Sequence, residues 1–230
     1  MSASGDCIVE TRELSRRYAA GTAREHDALK DVTLTIERGA FAVVTGPSGG
    51  GKTTLLSLVG ALDRATSGRV TVDGTDLGAI SEAERTRVRR RIGFVFQGSP
   101  MLRGLAAWEN VTYPLIPLGV TARERRARAQ ELLSRVGLAT MLDAPPETAS
   151  GGELQRIGIA RALVGSPILV IADEPTSSLD RRSAEAVAKL LVEIHASGTT
   201  VIVATHDPHL VGLATTKFEL ESGRLVVPFT

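Results

Sequence analysis

Three short stretches of this chain, residues 41–44, 168–172 and 201–204, are apolar at every position. A strand with one wet face alternates, whereas an unbroken apolar run needs cover on both faces and so predicts a parallel sheet held between other layers. Helical stretches predicted at 52–62, 121–136, 153–164 and 181–196 supply that cover and give the strand and helix alternation of an α/β fold. Residues 32–36 instead alternate with period two and lead into the Glu37-Arg38-Gly39 turn, which predicts a half-buried strand with antiparallel pairing nearby. The Glu221-Ser222-Gly223-Arg224 turn predicts a hairpin, and Pro114, Pro117, Pro145 and Pro146 mark loops around a helical middle region.

With 230 residues, 43% of them hydrophobic, the chain can bury one substantial core, or a core plus a smaller lobe. Lys and Arg number 27 against 26 Asp and Glu, so the net charge of +1 gives no general reason to expect nucleic acid as a partner. Residues 81–135 are an exception, with eleven arginines, no lysine and five glutamates. Solvated helix faces account for this excess, and a surface held near anionic lipid or a membrane partner is the sharper alternative. No groove-reading motif or aromatic interleaving accompanies the arginines, which disfavours duplex DNA. The single cysteine, Cys7, excludes an internal disulfide and suits a reducing compartment. No stretch approaches 18 apolar residues and the first ten residues lack signal-peptide character, so a soluble chain with a borrowed membrane role is expected.

Gly46-Pro47-Ser48-Gly49-Gly50-Gly51-Lys52-Thr53 fits the phosphate-loop pattern G-x-x-x-x-G-K-[ST], placed between an apolar strand and a helix that continues through Thr54. Glycines admit close phosphate approach, and successive N–H groups at a helix start concentrate donors on anionic oxygens. Lys52 is expected at the β and γ phosphates, and the Thr53 hydroxyl at Mg²⁺. The run 168–172 ends in the carboxylates Asp173 and Glu174. Asp173 would hold the Mg²⁺ shell and Glu174 would orient and deprotonate the attacking water.

Ser150-Gly151-Gly152-Glu153 satisfies S-x-x-E, a capping box that starts a helix, and its glycines also leave room for a phosphate. Ala149-Ser150-Gly151-Gly152-Glu153 resembles the Leu-Ser-Gly-Gly-Gln signature of the ATP-binding subunits of ABC transporters. The resemblance spans essentially the whole chain, since Tyr18, Gln97, Ser178-Leu179-Asp180 and His206 occur in family order. It implies a P-loop NTPase core with an antiparallel β subdomain and an inserted helical subdomain. The expected division is a nucleotide-binding core at 1–97 and 150–230, with a coupling lobe at 98–149, all within one domain.

The same resemblance implies ATP and Mg²⁺ as cofactors, with Tyr18 stacking on adenine and Gln97 sensing Mg²⁺ and the attacking water. His206 would contact the γ-phosphate. ATP would lie between one subunit's phosphate loop and the Ser150-Gly151-Gly152-Glu153 segment and Asp180 of another, which makes the active unit a head-to-tail dimer. Ala149 departs from the usual leucine and removes apolar contact beside that composite site. The texture is similar to the macrolide-exporter and lipoprotein-release branch. That branch implies a subunit on the cytoplasmic face of the membrane, powering export or extraction through a separate permease. A regulatory switch of a cell-wall or division machine, or a soluble ATPase of translation or DNA repair, shares the chemistry and differs in output.

Overall fold

The computed structural model describes residues 7–22 and 25–229, with side chains described as far as residue 226. The chain opens with two long strands, β1 (Cys7–Tyr18) and β2 (His26–Glu37), then β3 (Phe41–Thr45) and helix α1 (Lys52–Val59). Next come β4 (Ser67–Val72), β5 (Thr75–Asp76), α2 (Glu82–Arg89) and β6 (Ile92–Val95). A helical section follows, with α3 (Ala107–Thr112), a 3₁₀ segment Tyr113–Leu118, and α4 (Ala122–Arg135). The chain then returns to strand and helix alternation with α5 (Gly151–Leu163), β7 (Leu169–Asp173), α6 (Arg181–Ala196), β8 (Thr200–Ala204), α7 (Pro208–Gly212), β9 (Thr216–Glu221) and β10 (Arg224–Phe229).

The three apolar runs lie in β3, β7 and β8, with Ile168 just ahead of β7, inside a six-stranded sheet ordered β10-β9-β3-β8-β7-β6. Every pair in it is parallel except β9 with β10. Both faces of these strands are buried. Phe41, Val43, Val170, Ala172, Val201 and Val203 pack toward α3, α4, α5 and α6, whereas Ala42, Val44, Leu169, Ile171 and Ile202 pack toward α1 and the second sheet. That second sheet, ordered β2-β1-β4-β5, is antiparallel throughout, as the alternation at 32–36 predicts. Val32, Leu34 and Ile36 point into its core, and the residues between them face solvent. Burying two such clusters against one shared sheet removes most of the apolar surface from water, which is the main favourable contribution to folding.

Some local expectations change. Helix α1 stops at Val59, three residues short of the predicted 62, because Gly60 ends it and Ala61 turns into the left-handed region at φ 57°. Pro114 and Pro117 lie within the 3₁₀ segment, whose tighter turns accept proline better than an α-helix would. Cys7 is half-buried, with its thiol donating to the Val9 carbonyl at 3.0 Å, and burial pushes its pKa up. Much of the arginine excess at 81–135 is consumed within the molecule. Arg85 is buried and donates to the carbonyls of Leu77, Ala61 and Asp63, Arg89 pairs with Glu82, Arg91 with Asp73, and Arg126 with Asp143.

Candidate nucleotide site

In open α/β sheets, ligands collect outside the carboxyl ends of the parallel strands. Here β3 delivers the glycine-rich loop and Lys52, β6 delivers Gln97, β7 delivers Asp173 and Glu174, and β8 delivers His206. All of these, with Tyr18 and the whole run 46–54, line one cleft of about 620 Å³.

The loop is preshaped for anions. At Gly46 the backbone has φ 136°, and a Cβ there would collide with the Leu220 carbonyl of β9, so no other residue fits. Lys52 is buried, and its Nζ donates to the carbonyls of Gly46 at 2.7 Å and Pro47 at 3.1 Å. An ammonium group has three donors. Two secure the loop, and Nζ also lies 3.9 Å from Glu174 Oε1, facing the carboxylate across the cleft. The turn after β9 closes the cradle from behind, with the Gly223 N–H donating to the Gly50 carbonyl at 3.1 Å.

Glu174 adopts φ 44°, a left-handed conformation that is unfavourable for a side chain of its size. Its N–H is anchored to the Ala204 carbonyl at 2.8 Å, and its Oε1 lies 3.1 Å from His206 Nδ1. The backbone reversal therefore turns the carboxylate off the strand axis and toward β8. Gln97 Nε2 donates to Ser177 Oγ at 3.3 Å, and Ser177 Oγ in turn donates to the Glu174 carbonyl at 3.1 Å. Thr176 Oγ1 donates to Asp207 Oδ2 at 3.0 Å, so the loops after β7 and β8 are tied together.

Asp173 is buried, and its Oδ1 has no protein partner. Burial pushes its carboxyl above the ordinary value. The Thr53 hydroxyl opposes this, the neighbouring Glu174 adds to it, and Lys52 also opposes it. An orphaned acceptor beside a threonine hydroxyl fits a divalent cation or its water. Among the described residues no group of three His, Cys, Asp or Glu side chains is placed to hold a metal alone.

A carboxyl with a raised native pKa holds its proton more tightly folded than unfolded. Stability therefore falls as pH rises from the unfolded value through the native one, and the cost is absent below the unfolded value. Asp173→Asn is expected to raise the nucleotide-free melting temperature at pH 7, with the gain shrinking as pH falls and gone by about pH 4, the ordinary aspartate value, while ATP hydrolysis is lost. Melting curves across that range check this, and a lower melting point at pH 7 would refute it.

Ser150, Gly151, Gly152, Glu153 and Asp180 do not line this cleft. They form a second cluster where the starts of α5 and α6 meet. Ser150 caps α5, and its hydroxyl donates to Glu153 Oε2 at 2.8 Å, the same oxygen that accepts the Ser150 N–H at 2.8 Å. Asp180 caps α6 by accepting from the Ser183 N–H at 3.0 Å, and Ser183 lies so close to Gly152 that a Cβ there would strike its hydroxyl. Sequence reasoning missed His26, Asp27, Ala28 and Ser177, which also line the cleft. The register pairing Tyr18 with His26 brings in three of them, and the signal was the β1 and β2 strands themselves.

One chain thus carries a cleft shaped for phosphate and, apart from it, a cluster where the N-termini of α5 and α6 meet beside the exposed Gly151. Residues 29–177 match the sequence profile of the ABC transporter family. The chain belongs to that family. It is an ATP-binding cassette with ATPase chemistry. The cassette is 44% identical over 220 residues to the macrolide export ATP-binding/permease protein MacB of Bradyrhizobium diazoefficiens, a match covering 95% of this chain and 34% of that protein. An ABC transporter ATP-binding protein of Thermotoga maritima is 39% identical, with 95% and 93% covered. The cassette thus spans about a third of the length of the macrolide export relative and nearly all of the Thermotoga one. Among solved structures it resembles the dimeric post-hydrolysis state of the ATP-binding cassette MJ0796 bound to ADP and Pi. That match has a TM-score of 0.90 at 36% identity and covers 97% of this chain and 98% of that one. It also resembles cbiO1 from Clostridium perfringens, part of the ABC transporter complex cbiONQ, with a TM-score of 0.84 at 31% identity, covering 96% and 88%.

Proposed function

We propose that the cassette hydrolyses ATP as a head-to-tail dimer and drives a separate membrane permease for export or extraction. The supporting observation is the convergence of Lys52, Thr53, Asp173, Glu174, Gln97 and His206 on one cleft. Tyr18 carries the base and the loop 46–54 binds the triphosphate, with Lys52 at its β and γ phosphates. Thr53, Gln97 and Asp173 hold Mg²⁺, which when bound neutralises phosphate charge. Glu174 accepts a proton from the water that attacks the γ-phosphorus as the bridging oxygen leaves with ADP. His206, bonded to Glu174, meets the γ-phosphate from β8. Ser150, Gly151, Gly152 and Asp180 of a second copy close the open side, which accounts for their absence from the cleft of their own chain.

Among the described residues no helix is long and apolar enough to cross a membrane; in this reading the cassette is held at the cytoplasmic face by its permease. A surface groove of about 250 Å³ supports this, lined by Leu62, Phe94, Phe96, Leu115 and Leu118 with Arg89, Arg90 and Arg161 at its margins. Leu62, Phe96 and Leu118 are exposed, an apolar patch of the kind that marks an interaction site. Phe96 adjoins Gln97, so a permease segment seated here would lie next to a group that answers to the nucleotide. The test combines hydrolysis with membrane retention. The parent is expected to release phosphate from Mg-ATP and to sediment with membranes holding its permease, whereas Leu118→Glu keeps the hydrolysis and loses the sedimentation. Absence of hydrolysis by the parent would sink the enzymatic reading, and equal sedimentation of both would sink the docking surface.

A further inference from the structure

We infer that Asp63 and Arg16 are positioning residues for the nucleotide base, fixing Tyr18 as a one-faced platform at a set distance from the phosphate loop. The inference rests on the proposed role of Tyr18 and goes beyond it by naming what orients the ring.

Tyr18 is the last residue of β1, and its hydroxyl donates to Asp63 Oδ2 at 2.8 Å. Arg16 lies two residues earlier, on the same face of the strand. Its Nε donates to that same oxygen at 2.9 Å, and its Nη2 meets Oδ1 at 2.9 Å, a bidentate grip on the carboxylate. The guanidinium carbon then sits 4.4 Å from the centre of the Tyr18 ring. One face of the ring is thereby covered by a cation and its phenolic tip is tied down. Arg16 and Asp63 line a depression together with Arg64, Glu82 and Arg85, whereas Tyr18 lines the nucleotide cleft, beside His26 at a ring separation of 5.5 Å. With Arg16 on one face, the base is inferred to stack on the other.

Asp63 also fixes where that platform stands. It follows α1, the helix that begins at Lys52, and its N–H donates to the Ser57 carbonyl within that helix at 3.2 Å. Its own carbonyl accepts from the buried Arg85. The phosphate loop and the aromatic ring are therefore held at the two ends of one rigid connection. Burial works against the charge on Asp63, but the Arg64 N–H, the Tyr18 hydroxyl and Arg16 together hold its carboxyl below the usual carboxylate range.

Affinity for two ligands separates this role from general support of the fold. The dissociation constants of Mg-ATP and of inorganic tripolyphosphate, which has no base, would be measured by calorimetry on the full chain for the parent, Asp63→Asn, Arg16→Ala and Tyr18→Ala. Releasing the ring is expected to weaken ATP by about three- to tenfold in both Asp63→Asn and Arg16→Ala, with tripolyphosphate unchanged. Arg16→Lys, which keeps the charge and loses the fork, is expected to recover part of the loss. Unchanged ATP affinity in both clamp variants, or equal weakening of both ligands, would overturn the inference. Tyr18→Ala separates the layers: if it too spares ATP relative to tripolyphosphate, the base platform itself is wrong. If it weakens ATP selectively while the clamp variants do not, only the clamp is wrong.

Discussion

Glu174→Gln is expected to cut steady-state ATP hydrolysis by about 10²–10⁴-fold while ATP binding persists, the range that loss of a positioned general base produces. The amide keeps the shape and size of the side chain, so the left-handed turn at 174, anchored through its N–H to the Ala204 carbonyl, has no reason to move. What changes is basicity. A glutamine cannot take the proton of an attacking water, and it presents no charge to Lys52 Nζ, 3.9 Å away in the parent. ATP should then remain bound between two copies, and the variant should accumulate as a dimer in ATP where the parent cycles back to monomer. Phosphate release and sedimentation on the same samples check both halves. Parent-like turnover would remove Glu174 from the chemistry, and a persistent monomer in ATP, with the permease-bound form also failing to close, would count against the composite site.

Lys52→Ala is the second large effect, and it acts on binding. A charge-assisted hydrogen bond contributes about 1.5–3 kcal/mol, so its loss is expected to raise the dissociation constant for ATP roughly 10- to 150-fold. The same Nζ holds the carbonyls of Gly46 and Pro47, so the truncation also frees the loop it organises. Titration with a fluorescent nucleotide reads the affinity. A melting curve confirms that the sheet beneath is intact, since Leu55, Leu56 and Leu58 of α1 stay packed in the core. Unaltered affinity would show that the backbone donors alone bind the phosphates.

Elements buried on both faces were readable because their sequences have no competing explanation: residues 41–44, 168–172 and 201–204 all fall in or beside sheet strands, and α6 spans the predicted 181–196. The amphipathic ends were harder. Helix α2 has few apolar residues, and its one strong signal, the Ser81 and Glu84 capping box, is local and easily passed over. Strand β1 escaped notice because its register with β2 shifts repeatedly and Glu13 takes a left-handed turn, which breaks the period of two. Within the cleft, the loop 46–54 and the pair Asp173 and Glu174 announce themselves through contiguous motifs. Asp63 does not. It meets Tyr18 across 45 residues, and nothing in the composition of either segment connects them. Glu153 satisfies a capping box in the sequence and is also a candidate nucleotide contact; in the structure its carboxylate accepts the Ser150 N–H and hydroxyl.

The placement of β9 has a consequence for how the molecule is made. The central strand β3 takes both neighbours, β8 and β9, from residues beyond 199, and the phosphate loop is backed by Leu220 and Gly223. During synthesis, the motif that meets phosphate emerges early, yet the wall behind it is supplied by residues translated about 170 positions later. A nascent chain lacking that hairpin carries every residue of the loop without the surface that shapes it. Competence to hold nucleotide thus waits on residues far downstream of the loop, as a report that the distant parts of the sheet have found one another.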